Sequence, residues 1–373
     1  MKKHRPSGLA VSLALLCLLV AGCGQPAVDA SLILSPAGEA APGSPEALCL
    51  AFVENHMMAE GGVYTTFQPI ASNGELAGGR EVLSESQGLL LLYYSRVGRQ
   101  AAFEETLSFV QNHLDSGTLL SYRLGEKGEA FPVNAAVDDL RIIRGLLEGG
   151  QAFSRPEFTQ LAQEYGRRFY QTNVQGGIVR DFYDEQYKAA SEQSTLCYAD
   201  LFTMELLAEE DSSWKKPRSS MEKLVREGYL GDEFPFYSLR CRIGEKIYEQ
   251  GELHMAEGLL TVLHLAQVGA VREQTLDWLE QKLASGPLYG RYTPDGQPAT
   301  QMESTAVYAL CVLLGQETGR EKLTEAALER MLTFQVTDPK SAVYGGFADP
   351  VTEQAYSFDN LTALLALAEI RRG

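Results

Sequence analysis

The chain has 373 residues and a formal net charge of −17, with 45% hydrophobic and 22% charged residues. That composition fits a folded globular protein rather than a disordered chain, and its long apolar run, residues 9–22, is shorter than the 18 or more residues a membrane span wants. An acidic body repels phosphate backbones, so no nucleic-acid partner is expected, and a neutral or cationic ligand is easier to accommodate.

The N-terminus reads as an address. Lys2, Lys3, His4 and Arg5 form a basic start, Leu9 to Val20 an apolar stretch, and Val20-Ala21-Gly22-Cys23 a site of small residues ending in cysteine. This resembles a bacterial lipoprotein signal, which implies residues 1–22 as a removed signal peptide and Cys23 as the lipidated first residue. The competing reading is an ordinary secretory signal with a chance cysteine. Residues 23–45 are mostly small residues and proline and read as a flexible tether, leaving 46–373 as the folded domain. The expected location is the cell membrane, lipid-anchored and facing outward, with the membrane touched through the lipid alone. Of six cysteines, Cys17 leaves with the signal. Cys49, Cys197, Cys241 and Cys311 are widely spaced, which predicts buried free thiols, and no CxxC pair supports zinc.

From residue 46 onward a pattern recurs six times. Polar loops open near residues 62, 122, 177, 237, 290 and 345, often on glycine and an aromatic. Each ends in a nearly all-apolar segment, such as GLLLLYYS or STAVYALCVLL, then a turn and an amphipathic segment, such as REQTLDWLEQKL. A fixed period of this kind marks a repeat architecture. A helix apolar all round must be buried, and one with a polar face covers it. Six buried helices ringed by six covering helices predict an all-α (α/α)6 toroid with little strand, its first covering helix supplied by PEALCLAFVENHMM. All the long loops precede the buried helices, so they gather at one end and form the floor of a cleft.

That end carries aromatics and acids. Tyr64, Tyr122, Tyr183 and Tyr237 are candidates to stack on sugar faces, against the bland reading that such rings pack loops onto the core. Ser84-x-x-Gln87 matches a capping box, which places Glu85 in a first helical turn. Asp138 and Asp139 occupy the same place in the second repeat, where one of them is expected as an N-cap. Glu303 and Asp359 read as caps. Two carboxylates from adjacent repeats meeting across a cleft are what glycosidic cleavage needs. The histidines make no HExxH, and GxSxG, GxxxxGK[ST] and GxGxxG are absent from the sequence, so no metal or cofactor is expected.

These residues resemble glycoside hydrolase family 8, and especially its bacterial lipoprotein branch linked to exopolysaccharide. Leu83-Ser84-Glu85-Ser86-Gln87-Gly88 is similar to that family's V-S-E-G-Q-G, and Asn134 to Leu147 is similar to its N-A-T-D-G-D-L-D-I-A-x-A-L-L stretch. The resemblance implies an (α/α)6 barrel, Glu85 as general acid and Asp139 as the aspartate that holds the sugar at the cleavage point, with Asp138 beside it. It also implies an aspartate base in the fourth repeat. There the chain departs from the pattern: the nearest segment reads Arg240-Cys241-Arg242, and Asp232, Glu233 and Glu245 are the nearby acids. Asp232 is the expected base, with Arg240 on substrate hydroxyls. The implied function is an inverting glycoside hydrolase acting on an extracellular or envelope polysaccharide, as a monomer. The alternative is a catalytically impaired, lipid-anchored glycan-binding protein on the same scaffold.

Overall fold

A computed structural model describes residues 35–69 and 77–372. The signal segment and Cys23 lie outside the described residues. Twelve α-helices are described, alternating between an outer and an inner layer. They are α1 (Pro45–Phe52), α2 (Ser84–Val97), α3 (Gln100–Phe109), α4 (Ala136–Ala152), α5 (Pro156–Asn173), α6 (Leu201–Glu210), α7 (Lys215–Glu227), α8 (Met255–Ala266), α9 (Glu273–Ser285), α10 (Thr305–Thr318), α11 (Glu321–Leu332) and α12 (Ser357–Arg372). The even-numbered helices are the apolar segments of the repeats. Each touches the next even-numbered helix, and α12 closes on α2. This is the expected (α/α)6 toroid.

The division of layers follows from side-chain chemistry. In α10 nearly every residue from Thr305 to Gly315 is buried, as an inner helix requires. In α7 only Pro217, Met221, Leu224 and Val225 are buried, a single stripe facing inward. Gly98 ends α2 in the left-handed region at φ 79°, where a side chain would be strained, and so lets α3 fold back within two residues. The first covering helix, α1, packs on the last inner helix, α12. Its Glu46 accepts hydrogen bonds from Tyr93 Oη at 2.9 Å and Arg371 Nη2 at 2.8 Å, so α1 is tied to both α2 and α12. Strands are two- or three-residue ladders inside the loops. Arg240–Arg242 pairs antiparallel with Gln193–Thr195, which joins the loops of the third and fourth repeats. Cys49, Cys197, Cys241 and Cys311 are free and buried.

The inner helices run parallel, with their first turns at the loop end. At the opposite end, Glu148 of α4 is 1% exposed and lies between Arg96 of α2 and Arg144 of its own helix, each at 2.9 Å. Burial alone would raise its pKa, but the two guanidiniums outweigh it and hold the carboxyl down at about 2. Removing one member of such a network leaves buried charge unpaired. Glu148→Gln is therefore expected to cost about 3–5 kcal/mol of stability, read as a lowered midpoint in urea unfolding at pH 7.

Candidate active site

Glu85 lies in the first turn of α2, half-buried. The expected capping box does not form. The N-cap position is Leu83, and Ser84 turns its hydroxyl across to the next repeat, where Oγ donates to Asp138 Oδ2 at 3.0 Å. Asp138 is 6% exposed and also accepts from Arg141 Nη1 at 2.9 Å. Gly88, one turn past Ser84, gives Arg141 room: a Cβ there would stand 3.0 Å from Arg141 Cγ. Glu85 thus has Asp138 on one flank, Asp359 of α12 on the other and Arg141 beneath. Burial first, then the charges of Asp138 and Asp359, push its pKa up to about 7, against the lowering pull of Arg141. Asp359 is a cap, as expected, but of the neighbouring helix: its Oδ1 accepts from Ser304 Oγ at 2.8 Å and from Ala306 N at 2.7 Å, at the start of α10. Glu303 is held by Arg330 at 2.6 Å and is not a cap.

The two aspartates of the second repeat part company. Asp139, 3% exposed, turns into the wall, where Oδ2 accepts from Asn134 Nδ2 at 2.7 Å and the neighbours are Tyr165 and Arg168 of α5. Adjacent helical residues point about 100° apart, so only one of the pair can face the axis with Glu85. The residue beside Glu85 is Asp138, whereas Asp139 is held in the wall by Asn134.

In the fourth repeat, Asp232 is exposed and its Oδ1 accepts from Tyr229 Oη at 2.8 Å. Another acid of this repeat stands at the start of an inner helix. Glu257 lies in the first turn of α8, its side chain 30% exposed, and its buried Oε2 makes no hydrogen bond among the described residues, with His254 Nδ1 3.6 Å away. Its placement follows from an axial cavity of about 500 Å³ enclosed by the inner helices. Leu89 and Leu92 line it from α2, and Leu260, His264 and Gln267 line it from α8. Glu85 is one turn above Leu89, and Glu257 is about one turn above Leu260. The two acids therefore stand over the same axis from helices on opposite sides of the ring. Tyr198 is half-buried in the short turn Leu196–Tyr198 before α6, where burial first, and then Cys197, Asp138, Asp181 and Glu257, raise its pKa.

The remaining candidates divide. Tyr122 is half-buried, its ring 5.8 Å from that of Phe131, and its carbonyl accepts from Ser84 N at 2.9 Å, at the lip of the site. Tyr64 is half-buried under the guanidinium of Arg80, 4.6 Å from the ring centroid. Tyr183 is half-buried and is fixed by its N–H to Asn134 Oδ1 at 2.6 Å. Tyr237 is 2% exposed and packs on Tyr229, so its ring is core rather than sugar platform. Arg240 keeps 43% of its side chain exposed and pairs only loosely with Glu249, at 3.7 Å. It lines a groove of about 240 Å³ with Ser238 and His254. No cluster of three or more His, Cys, Asp or Glu able to hold a metal is found among the described residues.

No protein-family model matches this protein. Over 293 residues it is 30% identical to the protein of Bacillus subtilis named "Putative lipoprotein YdaJ", covering 76% of this chain and 78% of that one. It belongs to the YdaJ family. Among solved structures, "a novel alpha-amylase from Clostridium perfringens" superposes with a TM-score of 0.83 at 26% identity, covering 89% of this chain and 99% of the other. The endoglucanase Cel10 of Klebsiella pneumoniae, a family 8 glycosyl hydrolase, superposes at 0.61 with 13% identity over 87% and 99%. The fold of this YdaJ relative is therefore that of glycoside hydrolase family 8, as the sequence motifs implied.

Glu257, Tyr198 and Arg141 escaped the sequence reading as members of the site. A signal for two of them was present. Asp138, Arg141, Arg144 and Glu148 fall at intervals of three or four along an otherwise apolar helix, as do Glu257, Thr261, His264 and Gln267. A polar stripe on a helix buried all round faces a lumen.

Proposed function

We propose that the protein is an inverting glycoside hydrolase that cleaves an extracellular or cell-envelope polysaccharide, with Glu85 as general acid. The observation that carries this reading is the half-buried Glu85 carboxyl set beside Asp138 at the first turns of adjacent inner helices, where burial and the Asp138 charge push its pKa up to about 7, so that it holds a transferable proton near neutral pH. Glu85 gives that proton to the leaving glycosidic oxygen as the bond to the anomeric carbon breaks. Asp138, fixed by Ser84 and Arg141, accepts hydroxyls of the sugar at the cleavage point. Water attacks the anomeric carbon from the opposite face and loses its proton to Glu257, which takes the part expected of Asp232. Inversion needs a separation of about 6.5–9.5 Å, wide enough for that water, and acids on opposite sides of a ring suit it better than adjacent ones. The binding-protein alternative would be favoured by a cleft with no second acid opposite Glu85, and Glu257 argues against it.

The names of the structural neighbours, an alpha-amylase and an endoglucanase, support a glucan-like substrate. The test is sugar release by the soluble domain from starch, mixed-linkage β-glucan and chitosan, with the anomer of the first product followed by NMR. Hydrolysis with inverted configuration is expected on one of them. Retention, or no release from any, would remove the proposal.

Anchoring through Cys23 belongs to the same reading, supported by the name of the YdaJ relative. No described helix is long and apolar enough to cross a membrane. Wild type is expected to enter the detergent phase and Cys23→Ala to stay in the aqueous phase. Equal partitioning of the two would refute lipidation.

A further inference from the structure

The chain enters the fold at one definite end. Residues 35–44, expected as part of the tether, are strapped to the toroid instead. Ala37 N donates to Arg96 O at 2.8 Å, in the last turn of α2. Arg371, in the last turn of α12, donates through Nη1 to Ala37 O at 3.2 Å and through Nη2 to Gly38 O at 3.0 Å. Pro36 packs against Gly98, where a Cβ would meet its ring at 3.1 Å. All of these contacts lie at the C-terminal ends of the inner helices. Glu85, Asp138, Asp359 and Glu257 lie at the other ends. Twelve residues separate Ser84 from Arg96, roughly 18 Å of helix at ~1.5 Å per residue, and the loops add to that height.

We propose that the anchored protein stands on the membrane on its strapped end, with the cleft opening away from the bilayer; this rests on lipidation at Cys23. The partner of the strapped end is a lipid surface. The argument is one of reach. Only twelve peptide steps join Cys23 to Ser35, at most about 40 Å when drawn out fully. To turn the cleft toward the lipid, that stretch would have to climb at least about 18 Å of helix and the loops above it, beyond the roughly 20 Å that a flexible linker of this length spans on average, at a cost in chain entropy. With the strapped end down it needs no extension. The cleft then faces outward, where a polymer too large to pass beneath the protein can enter it.

The four described cysteines are buried, so one added surface cysteine can be labelled selectively. Full-length lipidated protein on phosphatidylglycerol/phosphatidylethanolamine vesicles would carry a donor dye at Gln151→Cys, exposed at the end of α4, or at Met302→Cys, exposed before α10 at the cleft end. Energy transfer to an acceptor lipid is expected to be at least about twofold stronger from position 151, given the helix length between the two levels. Equal transfer, or stronger transfer from 302, would overturn the orientation. Inserting twelve Gly/Ser residues after Leu34 should remove most of the difference, and a difference that survives would refute the reach argument. Protein that fails to float with the vesicles would refute the anchor itself, a result distinct from floating protein with no preferred end.

Discussion

Glu85→Gln is expected to lower polysaccharide turnover by at least about a hundredfold, the lower range for a positioned proton transfer. Gln keeps the shape of the side chain but has no proton of the right acidity to give. On an aryl glycoside with a strongly acidic leaving group, which departs without protonation, the variant should keep most of its activity. The pH dependence follows from the same carboxyl. Wild-type kcat/KM should fall as pH rises through about 7, where Glu85 of the free protein loses its proton, and Glu85→Gln should lack that limb. A second readout is stability. The folded protein keeps the Glu85 proton to about pH 7, whereas the unfolded chain releases it near pH 4.5. Between those values the native state binds more protons, so the stability from this group is full below about 4.5 and is lost as pH rises through 7. Glu85→Gln should therefore raise the melting temperature more at pH 8 than at pH 5. A fully active variant, or one with an unchanged pH limb, would reduce Glu85 to an ordinary first-turn carboxylate.

Glu257→Gln should be as damaging, with turnover reduced about 10²–10⁴-fold, but with a different signature. A general base is needed whatever the leaving group, so the loss should persist on the activated aryl glycoside that rescues Glu85→Gln. Oligosaccharide binding should stay within about threefold of wild type, because the group acts on water rather than on sugar. Asp232→Asn is the control and should leave turnover near wild type, since Asp232 is exposed and bonds Tyr229. The opposite pattern, an inert Glu257→Gln and a crippled Asp232→Asn, would require the loop carrying Asp232 to move over the cleft and would exchange the two roles.

The architecture was legible from the chain alone because it is written redundantly. Six apolar segments, each followed by an amphipathic one at a steady spacing, admit few arrangements other than a ring within a ring. The same grammar puts every long loop at one end, and so places the first turns of α2, α4, α8 and α12 around one cleft. Glu85 could be singled out because its neighbours, Ser84, Gln87 and Gly88, make a short motif whose parts are all local.

The tertiary structure decided what local pattern leaves open, the rotation of each helix about its axis. Asp138 and Asp139 are equally good first-turn acids in sequence. In the fold α4 is turned so that Asp138 meets Ser84 while Asp139 meets Asn134, with Ile143 on the Asp139 side beside Tyr165 and Phe169 of α5. Ser84 reads as a cap for its own helix, yet a buried carboxylate from the adjacent repeat is a stronger partner for its hydroxyl than a backbone N–H. Asp359 caps the adjacent α10 rather than its own α12, because its carboxylate reaches Ser304 Oγ and Ala306 N. Tyr237 reads as a loop aromatic, but its segment folds under Tyr229 and becomes core. Glu257 stands opposite Glu85 only because six helices close into a circle, and a relation between the second and eighth helices of a chain is a property of that closure, not of any stretch of residues.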